Sequence, residues 1–271
     1  MASVTLVFFA LSCSLAPLLA ESDSLNSVLF SGNYEFIDLT HPFDNQTVYW
    51  PGTEPFKFTK QKEEFDKDNS WYAAYEFSAG EHGGTHIDAP YHFSNTGKRV
   101  GDFPIHKLIL PLLVVDISDK VNGNPDFILT KNDLDLNWLN SNTDKPCLLA
   151  FNFGWSKYFN DRQKYLGYDE VTKSMRFPGL SNEVAELITS TYKNIVGIGT
   201  DVSSVDPGAT PDFAVHKQFS KSGLYNIENI NFVTPVPATK CTALALPMKI
   251  GMGTGAPLRL VAICPKETVP A

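Results

Sequence analysis

The sequence predicts an α/β fold, a mixed sheet with flanking helices. Three observations point there. Apolar runs at residues 108–117, 146–153 and 194–198 have the length and Val/Ile/Leu content of strands buried on both faces. Helix-start signals at Thr130 and Ser181 lie between them. Eighteen glycines and eighteen prolines in 271 residues argue for many turns and against a helical bundle. The net charge of −8 argues against a nucleic-acid or anionic-membrane partner.

At the start, residues 4–19 are almost wholly apolar and Ala20-Glu21-Ser22 turns polar, which reads as a secretory signal peptide over 1–20. No Lys or Arg precedes the run, so a buried strand or an anchor is the alternative. Pro17 and an apolar length of about sixteen residues make a spanning helix the weaker one. The expectation is a secreted chain with a single domain over 21–271 and no membrane contact after cleavage. Asn45-Gln46-Thr47 is an N-glycosylation sequon, consistent with secretion. Residues 34–40 alternate and are rich in β-formers, predicting a strand that His41-Pro42 ends. Residues 56–59 and 71–78 are further strands. The charged run 60–68 between them reads as a solvated hairpin edge or loop.

The stretch His82-Gly83-Gly84-Thr85-His86-Ile87-Asp88-Ala89-Pro90-Tyr91-His92 holds three of the chain's six histidines. Imidazole and carboxylate are the usual ligands of a catalytic divalent metal, zinc or manganese among them. Two glycines and a proline argue against a helix, so a loop or strand-to-turn connection wrapping one ion is expected. His82, His86 and Asp88 are its candidate ligands, and His92 is left as a nearby acid/base. The rival reading is a polar loop whose histidines bond to backbone.

Downstream, Thr130 and Asp133 predict a capped helix to about Asn140. Ser181 predicts a helix over 182–192 with Leu187 and Ile188 facing inward. Ser156 lacks the G-x-S-x-G surroundings of a nucleophile and reads as a helix cap. Residues 241–246 and 258–263 read as a closing strand pair. The glycine-rich loop 251–257 joins them as a tight turn, since no helix follows it to make a phosphate site. Loss of residues 1–20 would leave Cys147, Cys241 and Cys264, so at most one pair forms. Cys241 and Cys264 face each other across an antiparallel pair, or stay as two buried thiols.

The histidine stretch resembles the H-x-G-T-H-x-D-x-P-x-H signature of the cyclase family, which includes bacterial-type kynurenine formamidase and isatin hydrolase. The resemblance extends to Asp38-Leu39-Thr40-His41-Pro42, Trp50-Pro51-Gly52, Gly154-Trp155-Ser156, residues 177–181 and the region 201–229. It implies a swivelling β/β/α domain and metal-dependent hydrolysis of an amide in a small aromatic compound, N-formylkynurenine-like or isatin-like. It implies His216 and Glu228 as further members of the centre, so that one or two ions are held, with Asp88 bridging if there are two. Trp50 and Tyr49, at the W-P-G turn, are candidates for an aromatic wall against the substrate. A homodimer or higher homo-oligomer is also implied. Two rival functions stand beside hydrolysis: an inactive binding protein that keeps the fold, and a cyclase or dehydratase working at the same centre.

Overall fold

The seven strands of a closed ring hold the molecule together, seen in a computed structural model that describes residues 24–266. The signal-peptide reading of residues 1–20 lies outside the described residues. The stretch up to Asn33 is a unit of its own. It carries α1 (Leu25–Leu29), whose cap Ser24 accepts from the Ser27 N–H. From Tyr34 onward the chain forms a second unit. It opens with β1 (Tyr34–Asp38), the hairpin β2 (Lys57–Phe65) and β3 (Trp71–Ser78), and the three-residue β4 (His86–Asp88). Next come β5 (Ile109–Asp116), α2 (Ser118–Val121), β6 (Ile128–Leu129), α3 (Leu136–Asn142), β7 (Cys147–Asn152) and α4 (Arg162–Leu166). The rest is β8 (Gly179–Leu180), α5 (Asn182–Thr191), β9 (Ile195–Thr200), α6 (Ala214–Lys221), β10 (Tyr225–Glu228), β11 (Cys241–Pro247) and β12 (Gly255–Pro265).

The main sheet runs β1-β12-β11-β5-β7-β9-β10-β4, and β4 pairs back onto β12. The sheet therefore closes, with β1 added on the outside of β12. The pairs β5–β7, β7–β9 and β9–β10 are parallel and the remaining ladders antiparallel. Alternate residues face in and out, as a barrel requires. Leu112, Val114, Leu148, Ala150, Tyr225, Ile227, Ala243, Ala256 and Leu260 fill the interior. Leu113, Leu149 and Phe151 point the other way, into a second core shared with Val184, Ile188, Val215 and Phe219 of α5 and α6. Among the described residues, closure leaves the main sheet a free edge only at β1. Among the described residues no helix is long and apolar enough to cross a membrane.

Ser181 caps α5 through the Val184 N–H, as expected, with Val184, Ala185, Ile188 and Thr189 buried and Leu187 half-buried. The single helix expected from Thr130 is instead two elements. Asp133 folds back onto the Thr130 N–H and hydroxyl, closing one 3-10 turn over Lys131–Asp133. Leu134 is extended, and Asp135 recaps the chain to start α3. Ser156 is not a cap. Its hydroxyl donates to the Ile230 carbonyl and accepts from the Phe232 N–H. Cys241 and Cys264 lie opposite each other on β11 and β12 and form a disulfide, while Cys147 is free and buried.

The charged run 60–68 continues β2 to Phe65 before turning. The β2–β3 hairpin is a two-stranded sheet apart from the barrel, and nearly all of it is exposed. Its register puts Phe58, Phe65, Trp71, Tyr75 and Phe77 on one face, each between 43% and 62% exposed. The other face carries ion pairs such as Lys60–Glu76 at 3.2 Å.

Candidate metal centre

Strand alternation explains the H-x-D spacing of the histidine motif. On β4, Ile87 points into the barrel while His86 and Asp88 share the outer face. In the antiparallel register with β10, Glu228 stands opposite His86. Helix α6 lies over this face and brings His216. Asp206 fixes both: its Oδ1 accepts the Val215 N–H at 2.9 Å, and its Oδ2 accepts the His216 N–H at 3.0 Å and meets His216 Nδ1 at 2.6 Å. One carboxylate thus caps the helix and aims the imidazole.

The far nitrogen of each of these imidazoles is occupied. His86 Nδ1 lies 2.9 Å from the Gly84 carbonyl and His216 Nδ1 faces Asp206. A carbonyl and a carboxylate only accept, so both rings carry a proton on Nδ1 and turn Nε2 inward. His86 Nε2 then sits 3.1 Å from Asp88 Oδ1 and 3.5 Å from Glu228 Oε2. His216 Nε2 sits 3.2 Å from Asp88 Oδ2 and 3.0 Å from Glu228 Oε1. His82 Nδ1 is 2.6 Å from Asp88 Oδ1. All but His82 are at most 4% exposed. Three imidazoles and two carboxylates converge in a buried place, where positive charge from protonated imidazole or from a metal compensates the carboxylates. The residues fit a divalent metal. Two overlapping groups qualify, His82–His86–Asp88 and Asp88–His216–Glu228, the potential ligand atoms of each lying within 4.8 Å of one another.

The titration behaviour agrees with that reading. Burial opposes the charge of Asp88, yet His82, His86 and His216 hold its pKa well below the usual carboxylate range. Burial would also lower His86, but Asp88 and Glu228 raise it to about 9. In His216, burial is overcome by Asp206, Asp88 and Glu228, and the pKa rises well above the usual value. Burial and then Asp88 push Glu228 up. Without a metal, protons do the neutralising.

The glycine pair has separate jobs. Gly84, at φ +58°, turns its carbonyl to accept from His86 and from Asn229 Nδ2 at 2.7 Å. Gly83 makes room for Tyr49, since a Cβ there would lie 2.0 Å from that ring. His92 follows on a 3-10 turn opened by Pro90, and its ring stacks on His82 at 3.9 Å. Burial and the neighbouring imidazoles outweigh the pull of Asp88 and push its pKa down to about 4. The residue opens onto the cleft as a neutral imidazole at pH 7.

The centre forms the floor of a cleft of about 290 Å³ whose walls include Trp50, Phe93, Phe213, Ser203 and Asn229. Trp50 lines this cleft. Tyr49 is not part of this wall, which corrects the expectation for it. It is buried against Gly83 and borders a different hollow, which shares Trp50 with the cleft. His41 is buried, stacked on Phe159 at 3.7 Å, and does not line the cleft. Asn45 is exposed. Asp206, Phe93 and Phe213 were not singled out from sequence. Asp206 lies in the region 201–229 that carries the resemblance, but nothing in one dimension joins it to His216.

The sequence profile of a family described as "Putative cyclase" matches residues 37–207. Isatin hydrolase of Roseibium aggregatum is 30% identical, the match covering 89% of this chain and 96% of that protein. Kynurenine formamidase of Bacillus cereus is 29% identical, over 84% and 96%. Among solved structures, isatin hydrolase A from Ralstonia solanacearum superposes with a TM-score of 0.79 at 26% identity, covering 94% of this chain and all of that one. Carrying this motif, barrel and cluster, the chain belongs to the cyclase family of metal-dependent hydrolases.

Proposed function

We propose that the protein is a secreted amidohydrolase that opens an amide in a small planar aromatic compound of the N-formylkynurenine or isatin type, using zinc or manganese. The observation that carries this is the convergence of inward imidazole nitrogens and carboxylates beneath an aromatic-walled cleft. The names of the relatives support the substrate class. A divalent metal held there would supply Lewis acidity and lower the pKa of a water. Trp50, Phe93 and Phe213 would hold the ring of the substrate against the cleft wall. His92, neutral and facing the cleft, would take the proton of the attacking water and return it to the leaving nitrogen. Asp88 belongs to both groups and suits a bridging role if two ions bind. The disulfide between Cys241 and Cys264 and the exposure of Asn45 in its sequon support secretion and glycosylation of the chain from Glu21 onward.

The deciding experiment is elemental analysis of the purified protein together with turnover of N-formylkynurenine and isatin before and after chelation. One or two metal equivalents per chain and chelator-sensitive hydrolysis are expected. Bound metal with ring closure or dehydration of a substrate would replace hydrolysis by the cyclase reading. Bound metal with no turnover of any amide would favour a binding protein.

The same proposal includes a homodimer, supported by the β2–β3 hairpin. An isolated two-stranded ribbon is marginal in water. Its five half-exposed aromatics offer on the order of 500 Å² of apolar surface. Two arms, each covering an equal area on the other copy, would bury about 2,000 Å², enough for a stable dimer. The balanced charges on its polar face do not set one arm against another. Light scattering should give twice the chain mass, and Phe65→Glu with Trp71→Glu should give a monomer. A monomeric wild type at micromolar concentration would remove the dimer.

A further inference from the structure

His82 differs from the other two imidazoles in the nitrogen it turns inward. His86 and His216 offer Nε2. His82 offers Nδ1 to the Asp88 side and gives Nε2 to Thr254 Oγ1 at 2.9 Å. The reason lies one residue further back. Glu81 Oε2 receives the Thr254 hydroxyl at 2.7 Å, the Thr254 N–H at 2.9 Å and the Gly255 N–H at 3.3 Å. A hydroxyl has one proton. Given to Glu81, it leaves the Thr254 oxygen only lone pairs for His82, so Nε2 must be the protonated nitrogen. Nδ1 is then the nitrogen turned to Asp88 Oδ1, 2.6 Å away. It donates a proton to that carboxylate when no metal is bound, and it is the lone pair a metal would take once that proton leaves.

The surrounding backbone serves the same end. The Thr254 carbonyl accepts the Ala89 N–H at 2.8 Å, which ties the glycine-rich loop to the end of β4. Gly255 leaves space for the ring, because a Cβ there would lie 2.5 Å from His82 Cε1 and 2.8 Å from Nδ1. Glu81 lines the cleft, and general-base duty would come to mind. With three donors on Oε2 it acts behind the ligand instead.

We propose that Glu81 and Thr254 are positioning residues: they lock His82 in the tautomer that presents Nδ1, and so set the affinity of the His82–His86–Asp88 group for its metal. The inference rests on the metal-centre reading above. It assigns the glycine-rich loop a purpose other than substrate contact.

The test is zinc binding by competition with a chromophoric chelator, joined to long-range ¹H–¹⁵N spectra of the zinc-loaded protein. Wild type should show His82 protonated on Nε2, and His86 and His216 protonated on Nδ1. Thr254→Val removes the hydroxyl at nearly constant volume and should weaken zinc binding about 10–100-fold, the usual loss for an outer partner of a metal ligand. Thr254→Ser restores the hydroxyl and should bind close to wild type, which separates the hydrogen bond from any folding defect. Glu81→Gln keeps an acceptor oxygen and should lose less than Glu81→Ala. Zinc bound equally well by wild type and Thr254→Val, or a zinc-loaded His82 protonated on Nδ1, would overturn the positioning role alone. A wild type that binds no zinc in metal-replete buffer would overturn the metal centre itself, and this inference with it.

Discussion

His86→Ala is expected to lose bound metal and hydrolytic activity together. His86 belongs to the His82–His86–Asp88 group, and its Nε2, like that of His216, faces Asp88 and Glu228 at once. Its removal leaves those two buried carboxylates less compensated, since only His82 and His216 remain to face them. The loss of affinity should exceed the roughly 10–100-fold typical of an outer partner. The barrel should survive, because Ile87, not His86, packs into its interior. Elemental analysis of the dialysed variant and its melting curve check both halves. A metal-replete, active His86→Ala protein would sink the ligand assignment. The pH dependence has a definite sign. In the metal-free protein His86 holds a proton up to about pH 9, because Asp88 and Glu228 outweigh its burial. Metal must displace the protons that His86 and His216 hold, so wild-type affinity should rise with pH through neutrality.

The sequence made the motif legible because its chemistry is local. Six histidines with three in one short stretch, joined to a carboxylate, leave few peaceful explanations. Two glycines and a proline left a loop or a strand-to-turn connection open, and the structure has the second: β4 followed by the 3-10 turn of His92. The other half of the centre depends on register. Glu228 meets His86 only because β10 pairs antiparallel with β4, and no spacing rule states that. Asp206 is nearer in sequence to His216, yet its role comes from the fold of the turn before α6. Buried strands were read well, being continuous apolar runs. Barrel closure was not, because it rests on β4, three residues long, bonding to β10 on one side and β12 on the other. The hairpin was half-read: Lys and Glu hid a strand whose aromatic face becomes visible only when Phe65 is paired with Trp71 and Phe58 with Phe77. Tyr49 went wrong for a related reason. Neighbours in a strand-like bridge point to opposite sides, so Trp50 reaches the cleft and Tyr49 packs on Gly83.

His92→Ala should keep the metal and lose about 10²–10⁴-fold in kcat, the usual range for a positioned acid/base. The two metal groups contain His82, His86, Asp88, His216 and Glu228, and His92 belongs to neither. Its ring stacks on His82 with centroids 3.9 Å apart and planes 23° from parallel, and the residue lines the cleft. Binding of substrate against Trp50 and Phe213 should change little, so KM should stay near wild type while kcat falls. His92→Gln keeps much of the volume against His82 without a group that can take a proton at neutral pH, and should be nearly as slow. The pH profile gives an independent check. Burial lowers the His92 pKa toward about 4, so the base form is present above that value and activity should fail as pH drops through it. In His92→Ala this acid limb should vanish from the residual rate. Unchanged turnover would remove His92 from the mechanism. Loss of metal along with rate would mean that the ring acts by holding His82 in place, which would move the proton transfer to another group on the cleft wall.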